Sequence, residues 1–216
     1  MPFTYASVVG FFGRYNDSIW PMQFVAYLLV FAALFIAARK IKYSDRIIAA
    51  ILAFFWLWIG LRFWLPSGAG FPPFYVVGAL FILQGILFLI GAAKPNVSYR
   101  FGANVFSYTG FALMLYAMVV FPVGALLMGR VYPQMGIVGL FPCPTVLLTC
   151  GFLLCSDCRV PKYLMAIPLF WGIVGMYWTT LGLFEGAGLT VGALAAVAMI
   201  VYRDRKAVPE HAYRTA

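Results

Sequence analysis

Residues 18–46 read SIWPMQFVAYLLVFAALFIAARKIKYSDR, in which 21 uncharged residues, 18–38, run into Arg39, Lys40, Lys42 and Arg46. A helix rises about 1.5 Å per residue, so roughly 20 apolar residues cross a ~30 Å hydrocarbon core. The stretch predicts a membrane-crossing helix that ends in cations. The same pattern recurs along the chain, with uncharged runs at 47–61, 63–93, 101–129, 131–156, 163–184 and 186–202. Extending the short second run past Arg62 and starting the third at Pro72-Pro73 gives seven predicted spans: 18–38, 47–65, 72–93, 104–129, 136–156, 163–184 and 186–202. The expected fold is all-α and polytopic. One seven-helix domain over 18–203 follows a short interfacial segment, 1–17, and precedes a polar tail, 204–216.

Composition agrees. The 216-residue chain is 64% hydrophobic and 10% charged. Soluble domains are nearer half apolar and a quarter charged, and disorder needs low hydrophobicity. The net charge of +9 is an orientation signal. Of 15 Lys and Arg, 12 fall on one predicted side and only Arg14, Arg62 and Arg130 on the other. By the positive-inside rule the N-terminus is outside and the C-terminus cytoplasmic, as in a bacterial inner membrane. The expected partner is the lipid bilayer, because the cations are dispersed over short segments rather than gathered for nucleic acid. Trp20, Trp64 and Trp178 fall near outer boundaries and Tyr43, Tyr99, Tyr163 and Tyr202 near inner ones, where amphipathic rings settle. Trp56, Trp58 and Trp171 lie deeper. The first 13 residues hold no Lys or Arg, so the basic region of a signal peptide is missing. Phe3, Val8, Phe11 and Phe12 fit a helix lying in the outer interface.

Within the spans, Gln84 is an amide at mid-membrane that must find a partner, either another helix or a ligand. Pro122 and Pro168 interrupt the fourth and sixth spans. Gly188, Gly192 and Ala196 form a small-residue stripe that lets a helix, or another membrane subunit, approach closely.

The fifth span carries the most specific chemistry. All four cysteines, Cys143, Cys150, Cys155 and Cys158, lie between 136 and 158. At 3.6 residues per turn Cys143 and Cys150 share one helix face, within about 20°. Three readings of these thiols compete: small apolar packing, a soft-metal site at Cys143 and Cys150, and thiol–disulfide exchange at Cys155-x-x-Cys158. Pro142-Cys143-Pro144-Thr145 removes two backbone donors, which makes it either a capped helix start or a broken, site-forming segment. Arg62, Arg130 and Glu185 are isolated charges near the outer boundary, and Glu185 can pair with either arginine. Together with Gln84, Pro142, Cys143, Pro144 and Thr145 they form the candidate binding vestibule, to which Asn16 and Asp17 can contribute. No catalytic residue and no cofactor beyond a soft metal ion is expected. Carboxylates are absent at mid-membrane, the seventh span holds no lysine, and no phosphate-binding loop occurs.

Several motifs carry a resemblance: Arg14-Tyr15-Asn16 with Trp20-Pro21, Trp56-Leu57-Trp58-Ile59-Gly60, Gly78-Ala79-Leu80-Phe81 with Leu83-Gln84-Gly85, and Tyr132-Pro133. Pro142-Cys143-Pro144-Thr145, Ile167-Pro168-Leu169-Phe170-Trp171 and Leu181-Gly182-Leu183 complete it. Over nearly its whole length the chain resembles a family of uncharacterised bacterial inner-membrane proteins, often loosely labelled permeases. The family pattern differs in having histidine near Arg62 or Arg130, aspartate at Glu185, and Cys143 alone among the cysteines. The resemblance implies the seven-helix architecture and a region of interest, with no established activity. Three functions follow as expectations: a small permease or channel with an outward polar vestibule, a sensor or accessory subunit of a larger membrane complex, and a soft-metal or thiol protein.

Overall fold

The computed structural model describes the backbone of residues 4–212, with side chains through Lys206. The extreme ends of the expected outer segment and tail lie outside the described residues. Among the described residues eight helices follow one another: α1 (Tyr5–Ser18), α2 (Met22–Arg39), α3 (Ser44–Gly68), α4 (Pro73–Ala93), α5 (Val105–Leu127), α6 (Pro142–Leu154), α7 (Tyr163–Thr180) and α8 (Glu185–Ala212). The described residues contain no strand, only a bridge between Tyr99 and Ser156.

Helix α2 has the surface expected of a helix that faces lipid. Ala26, Val30, Ala33 and Ala37 are buried, whereas Phe24, Leu28, Phe31 and Phe35 on the other face are 57–68% exposed. Water would reverse that order; lipid permits it. Helices α2, α3, α4, α5 and the α8 stretch Glu185–Lys206 are long and apolar enough to cross a bilayer.

The fifth expected span, 136–156, takes another form. Its helix has 13 residues, about 20 Å of rise and short of a ~30 Å core. The lead-in 136–141 is non-helical and buried, with Gly139 at φ +83°. Prolines at 142 and 144 bar an earlier helical start. Protein surrounds this irregular backbone: every residue of α6 but Cys143 is buried, so α6 is the axis on which α5, α7 and α8 pack. The α5–α6 crossing is close, since a Cβ at either Gly110 or Gly151 would lie 2.6 Å from the other's carbonyl oxygen. Helix α7, at 18 residues, is not among the five long apolar helices.

In three helices, α5, α6 and α7, the carbonyl four residues before a proline finds a side-chain donor. Tyr27 Oη donates to Met118 O (3.0 Å), which Pro122 cannot reach. Tyr15 Oη donates to Leu140 O (3.1 Å), four residues before Pro144. Gln84 Nε2 donates to Leu164 O (3.2 Å), four residues before Pro168. Two wide, π-type turns, Ile59–Trp64 in α3 and Tyr116–Val120 in α5, end two residues before Pro66 and Pro122. The wider turn makes room for a proline ring that would strike the preceding carbonyl.

The chain has two chemically different ends. At one, Lys40 Nζ meets Asp45 and Ser98 Oγ, both at 2.7 Å, while Arg203 Nη1 donates to Leu154 O (3.0 Å) and Ser156 O (2.9 Å). These contacts join the α2–α3, α4–α5 and α6–α7 connections to α8. At the other end, Asn16 Nδ2 donates to Pro133 O (2.6 Å) and Met135 O (2.8 Å), fastening α1 to the segment before α6. Tyr43, Tyr163 and Tyr202 are about half exposed at the Arg203 end, but Tyr99 is 1% exposed. It packs edge-on against Phe152, and burial raises its hydroxyl pKa above the ordinary tyrosine value.

The Gly188, Gly192 and Ala196 stripe is not an open docking face. A Cβ at Gly188 would lie 2.0 Å from Tyr116 Oη, one at Gly192 2.6 Å from Leu147 Cδ2, and Ala196 is fully buried. The chain uses that closeness for its own α5, α6 and α8.

Candidate functional site

At the Asn16 end the helices enclose a cavity of about 520 Å³. Helix α1 covers it with Phe11 and Phe12, the end of α3 supplies Phe63 and Trp64, and α7 supplies Trp171 and Trp178. Cys143 and its flanking prolines, Pro142 and Pro144, form another wall, and Glu185 at the start of α8 completes the lining. The rings are mutually locked. Phe63 stands edge-on to Tyr15 (4.9 Å between centroids), Phe12 to Phe141 (5.0 Å) and Trp64 to Trp171 (5.1 Å).

The local sequence explains each position. Thr4 and Ser7 form a reciprocal capping box at the start of α1, so the lid helix begins at the cavity rim. The wide turn in α3 carries Phe63 and Trp64, and Phe121 follows directly on the one in α5. Thr145 closes the break before α6: its hydroxyl accepts from Gly139 N (2.8 Å) and donates to Phe141 O (2.7 Å).

Glu185 is the polar centre. It pairs with Arg130, and the two side chains are 7% and 2% exposed. Arg130 follows Gly129, whose φ of +76° ends α5. Gly is suited to that left-handed step. Glu185 also lies in the first turn of α8, where the helix dipole favours an anion. The remaining guanidinium nitrogens, Nε and Nη1, have no hydrogen-bond partner among the described residues.

The residues expected in the vestibule separate. Pro142, Cys143, Pro144 and Glu185 line the cavity, and Arg130 stands behind Glu185. Arg62 is exposed outside the lining, beside Tyr15. Gln84 is fully buried in the α4–α7 contact, holding Leu164 O. Thr145 is occupied in the helix start. Thr149, one turn on, donates to Thr145 O (2.8 Å) and accepts from Trp56 Nε1 (2.9 Å), within a packed interior. Asn16 is buried as a fastener, and Asp17 is exposed. The cavity wall is therefore mostly aromatic, with Arg14 and Glu185 as its charged members, because Arg130 is held by Glu185 and Arg62 turns to the surface.

The cysteines are all free. Cys150 is buried in α6, two turns from Cys143, and no cluster of three or more His, Cys, Asp or Glu suited to a metal ion occurs among the described residues. Cys155 Sγ faces Ser107 O at 3.7 Å, and the exposed Cys158 accepts from Ser98 N at 3.2 Å, both at the Arg203 end.

Sequence reasoning missed the cavity's aromatic walls. Trp64, placed by its position in an interfacial belt, is 2% exposed, and Phe11 and Phe12 line the cavity. The usable signal was the density of Phe and Trp in 11–12, 63–64 and 71–74, three segments that all fall at one predicted end.

No curated protein and no solved structure matches the chain. A family model matches residues 8–210, spanning the lid helix, the cavity and all the long apolar helices, and the chain belongs to that family of unknown function, DUF6064.

Proposed function

We propose that this protein is a multi-pass bacterial inner-membrane protein that binds a small, largely apolar molecule in the cavity under α1. The observation that carries this is the cavity itself: about 520 Å³, walled by phenylalanine and tryptophan, with one carboxylate in its lining. Ligand pockets have that size and that proportion of apolar to polar groups. In this reading the chain crosses seven times. The N-terminus and the cavity face outward, and the cation-rich Arg203 end faces the cytoplasm. Helix α6 with its buried lead-in makes the fifth crossing and α7 the sixth; the 12 to 3 distribution of cations supports the orientation.

The test is saturable binding of durene (tetramethylbenzene) to the protein in nanodiscs, measured over empty nanodiscs. Cys143→Phe puts a bulky ring into the pocket wall and should weaken binding about tenfold while leaving the unfolding midpoint within a few degrees. Undiminished binding by that variant would place the ligand elsewhere.

A second reading, a small permease, draws on the two wide turns flanking the cavity in α3 and α5, since such turns cluster at functional sites. Transport further requires the packed floor around Trp56 and Thr149 to open. Durene-competed counterflow of a labelled aromatic solute in proteoliposomes would support it, and binding without flux favours a receptor or accessory protein.

A further inference from the structure

We propose that the ligand of this cavity is an amphipathic anion, with an apolar body held among the rings and a carboxylate or phosphate at the mouth against Arg14. This rests on the cavity being a ligand site, and it adds the charge that the ligand carries and where that charge sits.

Polar groups in the lining are few, and all but one are engaged. Four lining residues carry a hydroxyl or a charge: Ser7, Arg14, Ser67 and Glu185. Ser7 belongs to the capping box, where its hydroxyl donates to Thr4 O at 2.8 Å and accepts from Thr4 N at 3.1 Å. Ser67 donates to Phe63 O at 2.6 Å. Glu185 holds Arg130 and is 7% exposed. The indole nitrogens of Trp64 and Trp171 are sealed within the wall.

Arg14 differs. It is exposed, and it takes part in no ion pair among the described residues. A Cβ at Gly10 would lie 3.5 Å from its Nη1. The side chain therefore runs back along α1 over the preceding turn, the usual direction on a helix. That course leads away from Asp17, three residues on, whose charge acts on Tyr132 instead. The guanidinium stands at the cavity mouth with no carboxylate of the described chain to neutralise it.

These groups sort the ligand classes. A cation meets Arg14 at the mouth, and inside it must compete with Arg130 for Glu185, a buried pair that is costly to break. A bare anion gains Arg14 but loses water against phenylalanine and tryptophan. A neutral molecule fills the cavity and leaves Arg14 to water. An amphipathic anion answers both features. Its body takes apolar surface out of water, and its charged end stays at the rim, on a planar fork that matches carboxylate and phosphate. Such a molecule arrives as a free acid or as an anionic phospholipid.

Pentamethylbenzoate and pentamethylbenzamide share a ring and methyl groups, and only the first is charged at neutral pH. Titrated calorimetrically into protein in phosphatidylcholine nanodiscs, the benzoate should bind about fivefold more tightly than the amide, the upper end for an exposed ion pair. Arg14→Gln should level the two while leaving amide binding within about twofold, which also certifies the fold. Arg62 is exposed at the same end but outside the lining, so Arg62→Gln should keep the preference. Cys143→Phe should weaken the benzoate as it weakens durene. Equal affinity for the two probes, or a preference that survives Arg14→Gln, overturns the anion assignment while durene binding upholds the cavity reading. Benzoate binding untouched by Cys143→Phe overturns it too, since the anion then sits outside the cavity. Absence of saturable binding of durene and of both probes overturns the cavity reading itself. Given the preference, stronger displacement of the benzoate by dodecanoate assigns a free acid, and stronger displacement by lysophosphatidylglycerol assigns a phospholipid.

Discussion

Gln84 and Pro168 are coupled through a third group: the Gln84 amide donates to Leu164 O at 3.2 Å, the carbonyl that a residue with an N–H at 168 would have taken. Two features that look unrelated along the chain, a polar side chain in α4 and a proline inside α7, are one structural solution. An unpaired carbonyl in hydrocarbon is costly, and the amide removes that cost while fixing α4 against α7.

The coupling is measurable. Gln84→Leu should lower unfolding stability by about 1–3 kcal/mol, the cost of an orphaned buried acceptor. In a Pro168→Ala background, where the helix supplies its own donor, the same substitution should cost much less. Additive losses in a double-mutant cycle by denaturant titration in micelles would reject the link.

Arg130 and Glu185 make the second measurable pair. Glu185→Gln leaves a guanidinium buried at 2% exposure, and should cost about 3–5 kcal/mol. Replacing both at once, with Arg130→Met and Glu185→Leu, should recover most of the loss, because breaking a buried pair is worse than removing it. A double variant less stable than Glu185→Gln would show that the pair contributes more than mutual neutralisation. Thermal unfolding of purified protein decides this.

The internal use of the small-residue stripe predicts that Gly192→Val destabilises the monomer by about 1–3 kcal/mol, through overpacking against Leu147 and Leu113. Its oligomeric state, measured by light scattering in nanodiscs, should not change. Loss of an oligomer with unaltered monomer unfolding would mean the face serves a partner after all.

Orientation can be read from the cysteines. Cys158 is exposed at the Arg203 end, whereas Cys150 and Cys155 are buried. A membrane-impermeant maleimide should label Cys158 in inside-out vesicles and fail to do so in intact spheroplasts. Cys158→Ser should abolish that labelling. In a Cys143→Ala background, which removes the half-exposed thiol of the outward cavity, labelling of Cys158 from outside would invert the proposed topology.

Some of this was legible along the chain because it depends only on local quantities. Charge spacing against helix rise marks apolar helices from any side of the molecule, and the five long apolar helices lie where the uncharged runs lie. The prolines announced the breaks before α6 and in α5. Glu185 was legible as an arginine partner, since an isolated charge at a membrane boundary needs one, and so was Gln84 as an amide that must bond. Which arginine, and which acceptor, depended on distances between helices. Arg130 is brought inward by the turn at Gly129, while Arg62, on the outer side of a wide turn, stays at the surface.

The site itself was decided by tertiary structure. Phe12, Trp64 and Trp171 are separated by more than fifty residues at each step, and nothing in their own neighbourhoods says that they share a cavity rather than face lipid. In a membrane, inward and outward faces can both be apolar, so hydrophobicity, which sorts buried from exposed in water, carries little information about which ring packs inside. The sequence by itself determined that the chain is all-α, with several apolar helices long enough to cross a bilayer, and where prolines interrupt them. Packing around the short, buried α6 decided that Arg130 and Glu185 pair and that aromatic rings form most of the cavity wall.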